Sequence, residues 1–192
     1  MHSRKQIFKA LQALGDLLAF RGLSAEIAII GGSALLLSGL STRVTRDVDV
    51  VAMVAEERLL DPHGLPAAVL EAAREVAVDL NLDPDWINAG PSDLLRFGLP
   101  NGFLERAEGF AFGSLKVHVA DRFDQIHFKL YAAADQGPKS KHTSDLELLD
   151  PSRQELQMAA KWAQTHDPSP GFAESVQAVI SYLGFEATDD ER

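Results

Sequence analysis

Residues 26–54 constrain this chain more than any other stretch. Ile27 to Ile30 are apolar and isoleucine-rich, which suits a buried strand. Gly31-Gly32-Ser33 interrupts that run, and two glycines allow a sharp turn and a close approach of the backbone to a ligand. Ser33 stands where a new helix opens, as its N-cap or just inside it. Ala34 to Leu37 is strongly apolar and predicts a short, mostly buried helix. Arg46-Asp47-Val48-Asp49-Val50-Val51 then returns as a second strand.

In a strand, alternate side chains share a face, so Asp47 and Asp49 project together while Val48 and Val50 take the other side. Two carboxylates on an apolar strand are costly to bury unpaired. A divalent cation offsets that cost, and hard oxygen ligands at this spacing suit Mg²⁺, which usually takes one or two carboxylates plus substrate phosphates. Backbone N–H groups at the Gly-Gly-Ser turn would offer an anion site at a helix N-terminus. A phosphate cradle beside a paired-carboxylate metal site is what nucleotidyl transfer needs. Each half alone has a plainer reading, as a simple turn and as a solvated strand edge. The two in this order favour the site.

Gly31-Gly32-Ser33 followed by Asp47-x-Asp49 resembles the signature of the DNA polymerase beta superfamily of nucleotidyltransferases. Ser41-Thr42-Arg43-Val44-Thr45-Arg46-Asp47-Val48-Asp49 is similar, more narrowly, to the AbiEii-like branch, which includes toxins of toxin–antitoxin pairs. The resemblance covers roughly residues 10–150. It implies Asp47 and Asp49 as Mg²⁺ ligands, with Gly31, Gly32 and Ser33 at the nucleotide phosphates. In that branch a helix carrying Lys-Leu-x-Ala precedes a loop, often basic, and an Asp that opens the next helix. Lys129-Leu130-Tyr131-Ala132, then Lys139 and Lys141, then Asp145-Leu146 match that order. Lys129 would face a triphosphate, and Asp145 would hold it or act as a base; the plainer readings are a surface lysine and a helix N-cap. Arg46 would pair with the carboxylates or touch phosphate, with Arg43 a weaker candidate. Such enzymes usually carry a third carboxylate on a neighbouring strand, and no clean match exists here. Asp121 is the nearest candidate, and the N-cap of the following helix is its commoner role.

The whole chain sets bounds on these expectations. At 192 residues it can bury a sizeable core, and 46% hydrophobic content is that of an ordinary globular protein. Without cysteine, disulfides and thiolate metal sites are excluded, which fits a cytoplasmic location. No signal-peptide pattern and no apolar run of transmembrane length is read, so no membrane role is expected. The net charge of −10 argues against unspecific binding along a nucleic acid. Residues 145–192 hold ten acidic and three basic residues, so most of that charge lies in the last quarter. The remainder is near balance and leaves room for a local basic patch.

Residues 3–21 show helical spacing closed by Gly22, and Leu65–Leu82 a second amphipathic helix after a loop at Ala55–Gly64. Trp86 reads as a packing anchor rather than a base-stacking platform; Asn88 would touch nucleotide or cap the next helix. Residues 89–105 predict a loop with a short helix. Phe110–Phe112 and Leu115–Ala120 predict strands joined at Gly113-Ser114, with His118 a half-exposed strand residue. Residues 122–135 form a further helix, and two more follow Pro151, broken at Asp167-Pro-Ser-Pro170 and closed by Gly184. Thr188–Arg192 is expected to fray.

The expected fold is therefore mixed α/β (α+β): a small sheet of about four or five strands with flanking helices and a helical C-terminal part. A nucleotidyltransferase domain is expected over 1–150 and a helical appendage packed on it over 151–192. The expected activity is Mg²⁺-dependent transfer of an NMP from an NTP to an acceptor hydroxyl, on RNA such as tRNA or on a protein. A toxin role implies a cognate antitoxin. The alternatives are a non-catalytic nucleotide-binding or protein-interaction module, and an antitoxin-like enzyme that nucleotidylates a partner protein.

Overall fold

The isoleucine-rich strand is buried from Ile27 to Ile30, so it lies inside the sheet rather than at an edge. The computed structural model describes residues 2–62 and 65–185. They fall into two compact units, one ending at Asp121 and the other beginning at Arg122. The boundary expected at 150/151 lies inside the second unit. Thr188–Arg192, His63 and Gly64 lie outside the described residues.

The first unit holds a six-stranded mixed sheet. Its strands are β1 (Ala25–Ile30), β2 (Val48–Ala55), β3 (Arg58–Leu60), β4 (Ile87–Asn88), β5 (Glu108–Phe112) and β6 (Leu115–Val119). The order is β3-β2-β1-β6-β5, and β4 also pairs with β2. β1 runs antiparallel to β2 and parallel to β6. Ile27, Ile29, Val48, Val50, Val117 and Val119 belong to one buried cluster with two helices. These are α1 (Arg4–Phe20), through Ile7, Leu11, Leu14 and Leu18, and α3 (Ala67–Leu80), through Val69, Ala73 and Val76. Each fully buried aliphatic side chain contributes about 1.5–3 kcal/mol.

α1 starts at a Ser3–Gln6 capping box. It ends as expected at Gly22, where the Gly22 and Leu23 N–H groups donate to Ala19 and Leu18 carbonyls at 3.0 and 2.9 Å. Gly15 was not singled out by sequence, yet it seats the helix. A methyl there would overlap the Phe112 carbonyl, and the Ser114 N–H donates to the Gly15 carbonyl at 3.1 Å. Phe8 packs edge-on against Phe110 and Phe112.

Several expectations need correction. Ala55–Pro62 is not loop throughout: β2 runs to Ala55 and turns tightly into β3, with Ala55 opposite Arg58. Glu56 and Glu57 form that turn at φ +49° and +58°, values that glycine and asparagine usually supply, so the hairpin signal was missing. Replacing the pair as Glu56→Asn/Glu57→Gly should relieve left-handed strain and stabilise the protein by about 1–2 kcal/mol, checked by denaturant melts. α3 is shorter than Leu65–Leu82, with Pro66 as its N-cap and Asn81 ending it at φ +52°. Residues 89–105 hold a 3-10 turn (Gly90–Ser92), α4 (Asp93–Phe97) and α5 (Phe103–Arg106) rather than one short helix. Trp86 is a packing anchor, as read: it is buried and its Nε1–H donates to the Ala73 carbonyl at 2.9 Å.

The second unit contains α6 (Arg122–Gln136), α7 (Lys141–Leu149), α8 (Arg153–His166) and α9 (Pro170–Tyr182). α6 was read as an amphipathic stripe, but it is buried on nearly every side, including Asp124, Gln125 and Lys129. α8 begins at a Ser152–Glu155 capping box, and Ser169 caps α9. Arg122 ties three helices together. Its guanidinium donates to the Leu149 and Asp150 carbonyls at 2.8 and 2.7 Å and to Glu155 Oε1.

That Arg122 hydrogen bond holds the Glu155 carboxyl down from 4.5 to about 2. A depressed carboxylate stabilises the fold fully above its unfolded pKa, and the contribution disappears as pH falls from 4.5 toward 2. Glu155→Gln keeps the capping box and removes the charge. The variant should be about 1 kcal/mol less stable at pH 7, the pair being partly exposed. The gap to wild type should close as unfolding is measured at successively lower pH below 4.5.

Candidate functional site in the first unit

Strand and helix form as the sequence implies, but Gly31-Gly32-Ser33 is the first turn of the helix rather than a turn before it. β1 ends at Ile30, and α2 (Gly31–Leu37) follows at once. Gly31 takes φ +78°, a value only glycine holds without strain. A methyl on Gly31 would lie 2.5 Å from Asp49 Oδ2, so the carboxylate rests directly on this glycine. A methyl on Gly32 would lie 2.8 Å from Thr45 Oγ1. Both glycines are thus fixed by close approach, one to Asp49 and one to the loop before β2.

Ser33 sits inside the helix, fully buried, with Ile30 as the N-cap position. Its hydroxyl donates to the Ile30 carbonyl at 3.4 Å. The side chain therefore faces inward.

β2 begins at Val48, not at Arg46. The Val48 N–H donates to the Trp86 carbonyl at 2.7 Å, and this bond opens the ladder with β4. Asp47 is therefore the last residue before the strand, and Asp49 is its second. Val48 and Val50 are buried, while Asp47 and Asp49 are half-buried, as alternation requires. A bulge between Ala28 and Ile29 leaves Val51 unpaired two residues beyond Asp49. Such bulges re-aim neighbouring side chains. Asp49 lies opposite Ile30 on one side and Asn88 of β4 on the other. Asn88 Oδ1 accepts the Gly90 N–H at 2.8 Å and so shapes the turn beside Asp49.

Arg46 and Arg43 are both exposed on the loop that leads to Asp47. Two further residues, which sequence reading passed over, hold this loop. His2 and Thr45 form an antiparallel bridge, with N–H to O distances of 2.6 and 3.1 Å. Thr45 Oγ1 also donates to the Asp47 carbonyl at 3.4 Å. His2 is buried, and burial lowers its pKa below the usual histidine value. No local pattern signals this bridge, because it joins residues 43 positions apart.

The remaining candidates are placed elsewhere. Asp121 approaches Arg106 at 3.9 Å, and among the described residues no three His, Cys, Asp or Glu side chains gather to hold an ion. The donor set is two half-buried carboxylates beside a glycine cradle. That set fits Mg²⁺, which completes its shell with water and phosphate oxygens. His118 is the half-exposed strand residue expected, 2.6 Å from Glu26 Oε1, with Lys116 Nζ 3.6 Å from the other oxygen.

Lys129 and Asp145 belong to the second unit and meet there at 2.7 Å. Neither plain reading holds. Lys129 is buried rather than on the surface, and Asp145 is the fifth residue of α7, whose N-cap position is Ser140. Lys141, expected in a basic loop, opens that helix, while Lys139 precedes it.

Among the described residues no helix is long and apolar enough to cross a membrane. Compared with protein-family models, curated proteins and solved structures, the chain matches none.

Proposed function

We propose that this chain is a Mg²⁺-dependent nucleotidyltransferase that moves an NMP from an NTP to an acceptor hydroxyl. The observation that carries the reading is the Asp49 carboxylate seated on Gly31, with Asp47 two residues away at the mouth of the same strand. Asp47 and Asp49 would hold the ion. Bound there, Mg²⁺ supplies charge neutralisation and orientation of phosphate oxygens. The backbone N–H groups of Gly31, Gly32 and Ser33 bind and align the triphosphate. Arg46, exposed beside Asp47, adds positive charge toward phosphate. The acceptor oxygen attacks the α-phosphorus, and the bond to the pyrophosphate oxygen breaks.

The test is transfer of label from each NTP, with Mg²⁺, to total tRNA and to lysate proteins. Asp47→Ala/Asp49→Ala is the control. Label that appears on RNA or protein and is lost in the double variant supports the reading and names the acceptor class. No transfer, with no Mg²⁺–NTP binding by calorimetry, removes it and leaves a non-catalytic interaction module.

A further inference from the structure

The loop between α2 and β2 has to place Asp47 although that residue lies outside the β ladder. A strand residue is oriented by its two neighbours, and Asp47 lacks that support. What fixes the loop is Thr45. Its backbone is bonded in both directions to His2. Its hydroxyl faces the Cα of Gly32 on one side and donates to the Asp47 carbonyl on the other. His2 is itself held down: it is 9% exposed, and its backbone N–H and carbonyl are both bonded to Thr45. Its Nδ1 is buried with no hydrogen-bond partner. A buried polar atom left so is destabilising, which an aliphatic residue would avoid.

We propose that His2 and Thr45 are positioning residues of the metal site: an N-terminal strap that fixes Asp47 against the Gly31-Gly32 turn and sets the affinity for the divalent ion. The inference rests on the nucleotidyltransferase reading and deepens it. Supporting residues around a metal ligand typically change affinity by about 10–100-fold when lost. Two of the strap's elements can be removed separately. Thr45→Val keeps the side chain's shape and deletes the hydroxyl, and Thr45→Ser keeps the hydroxyl. His2→Pro deletes the N–H that donates to the Thr45 carbonyl, and His2→Gln keeps that N–H and a side-chain donor.

The experiment is Mn²⁺ binding to the full chain, followed by electron paramagnetic resonance, with the thermal midpoint and the amide exchange of residues 45–47 measured on the same samples. Thr45→Val and His2→Pro should weaken Mn²⁺ binding about tenfold and speed exchange at residues 45–47. Thr45→Ser and His2→Gln should stay within about threefold of wild type, and a positioning role demands this rescue. If wild type binds Mn²⁺ and all four variants match it, the strap is wrong and the metal site stands. Weakening that merely tracks the loss of thermal midpoint across all four also overturns it, because that is general destabilisation. If wild type itself binds no Mn²⁺, the functional reading falls and the strap's role falls with it.

Discussion

Lys129→Met is expected to destabilise the protein by about 3–5 kcal/mol, whereas Lys129→Met/Asp145→Leu should recover most of that loss. The pair is 2.7 Å apart, with side chains 6% and 2% exposed. Removing the ammonium leaves the buried Asp145 carboxylate without the cation 2.7 Å away, and a buried charge that loses its counter-ion is the costly species. Removing both charges and filling the space with apolar atoms restores a site of ordinary core character. Urea or guanidinium unfolding of wild type, the two single variants and the double variant measures the coupling directly. A loss in the double variant equal to the sum of the two single losses would mean that the two side chains act independently, contrary to the contact. The double variant also has a functional use. If it folds like wild type, its NTP turnover reports whether Lys129 is needed for the chemistry without the confusion of unfolding.

Where the fold was legible in sequence, the signal was local. β1, the Gly-Gly-Ser turn and α2 follow from one apolar run, two glycines and another apolar run. α1 was bounded by its own spacing and Gly22, and the β5–β6 hairpin by Gly113-Ser114. What was hidden depends on partners distant in sequence. β4 is two residues long and exists because the Trp86 carbonyl accepts the Val48 N–H. β3 follows a turn of two glutamates, where pattern reading looks for glycine or asparagine. α6 carries buried Asp124, Gln125 and Lys129, so its amphipathic stripe undercounts its burial. α7 starts at Lys141 rather than at Asp145, because Ser140, not Asp145, occupies the extended N-cap position.

The candidate site divides the same way. The spacing of Asp47 and Asp49 predicts a common side if both lie in the strand, but β2 begins at Val48 and only Asp49 has the ladder to orient it. The contact between Asp49 and Gly31 needed two strands in register, and the His2–Thr45 bridge needed the start of the chain beside residue 45. Ser33 was read as an open phosphate contact. It is the third residue of the helix and buried, because the helix starts three residues earlier than an N-cap serine would require.

Gly31→Ala should reduce turnover about 100-fold while the fold survives. Two costs act together at this position. The backbone is at φ +78°, where a Cβ costs about 1–2 kcal/mol. The new methyl would also lie 2.5 Å from Asp49 Oδ2, a separation that atoms do not sustain, so the carboxylate must shift. A shift of about an ångström in a catalytic group is enough for losses of about 10². Gly39→Ala separates the two costs. Gly39 has φ +73°, nearly the same strain, but a methyl there meets nothing within 4 Å. Both variants should lose a similar few degrees of thermal midpoint. Only Gly31→Ala should lose Mn²⁺ affinity and turnover, because only there does strain come with displacement of a ligand. If Gly31→Ala retains both while Asp49→Ala loses both, the glycine is required by the turn alone and Asp49 finds its place without it. If Asp49→Ala also retains both, the carboxylate is not a metal ligand and the nucleotidyltransferase reading loses the observation that carries it.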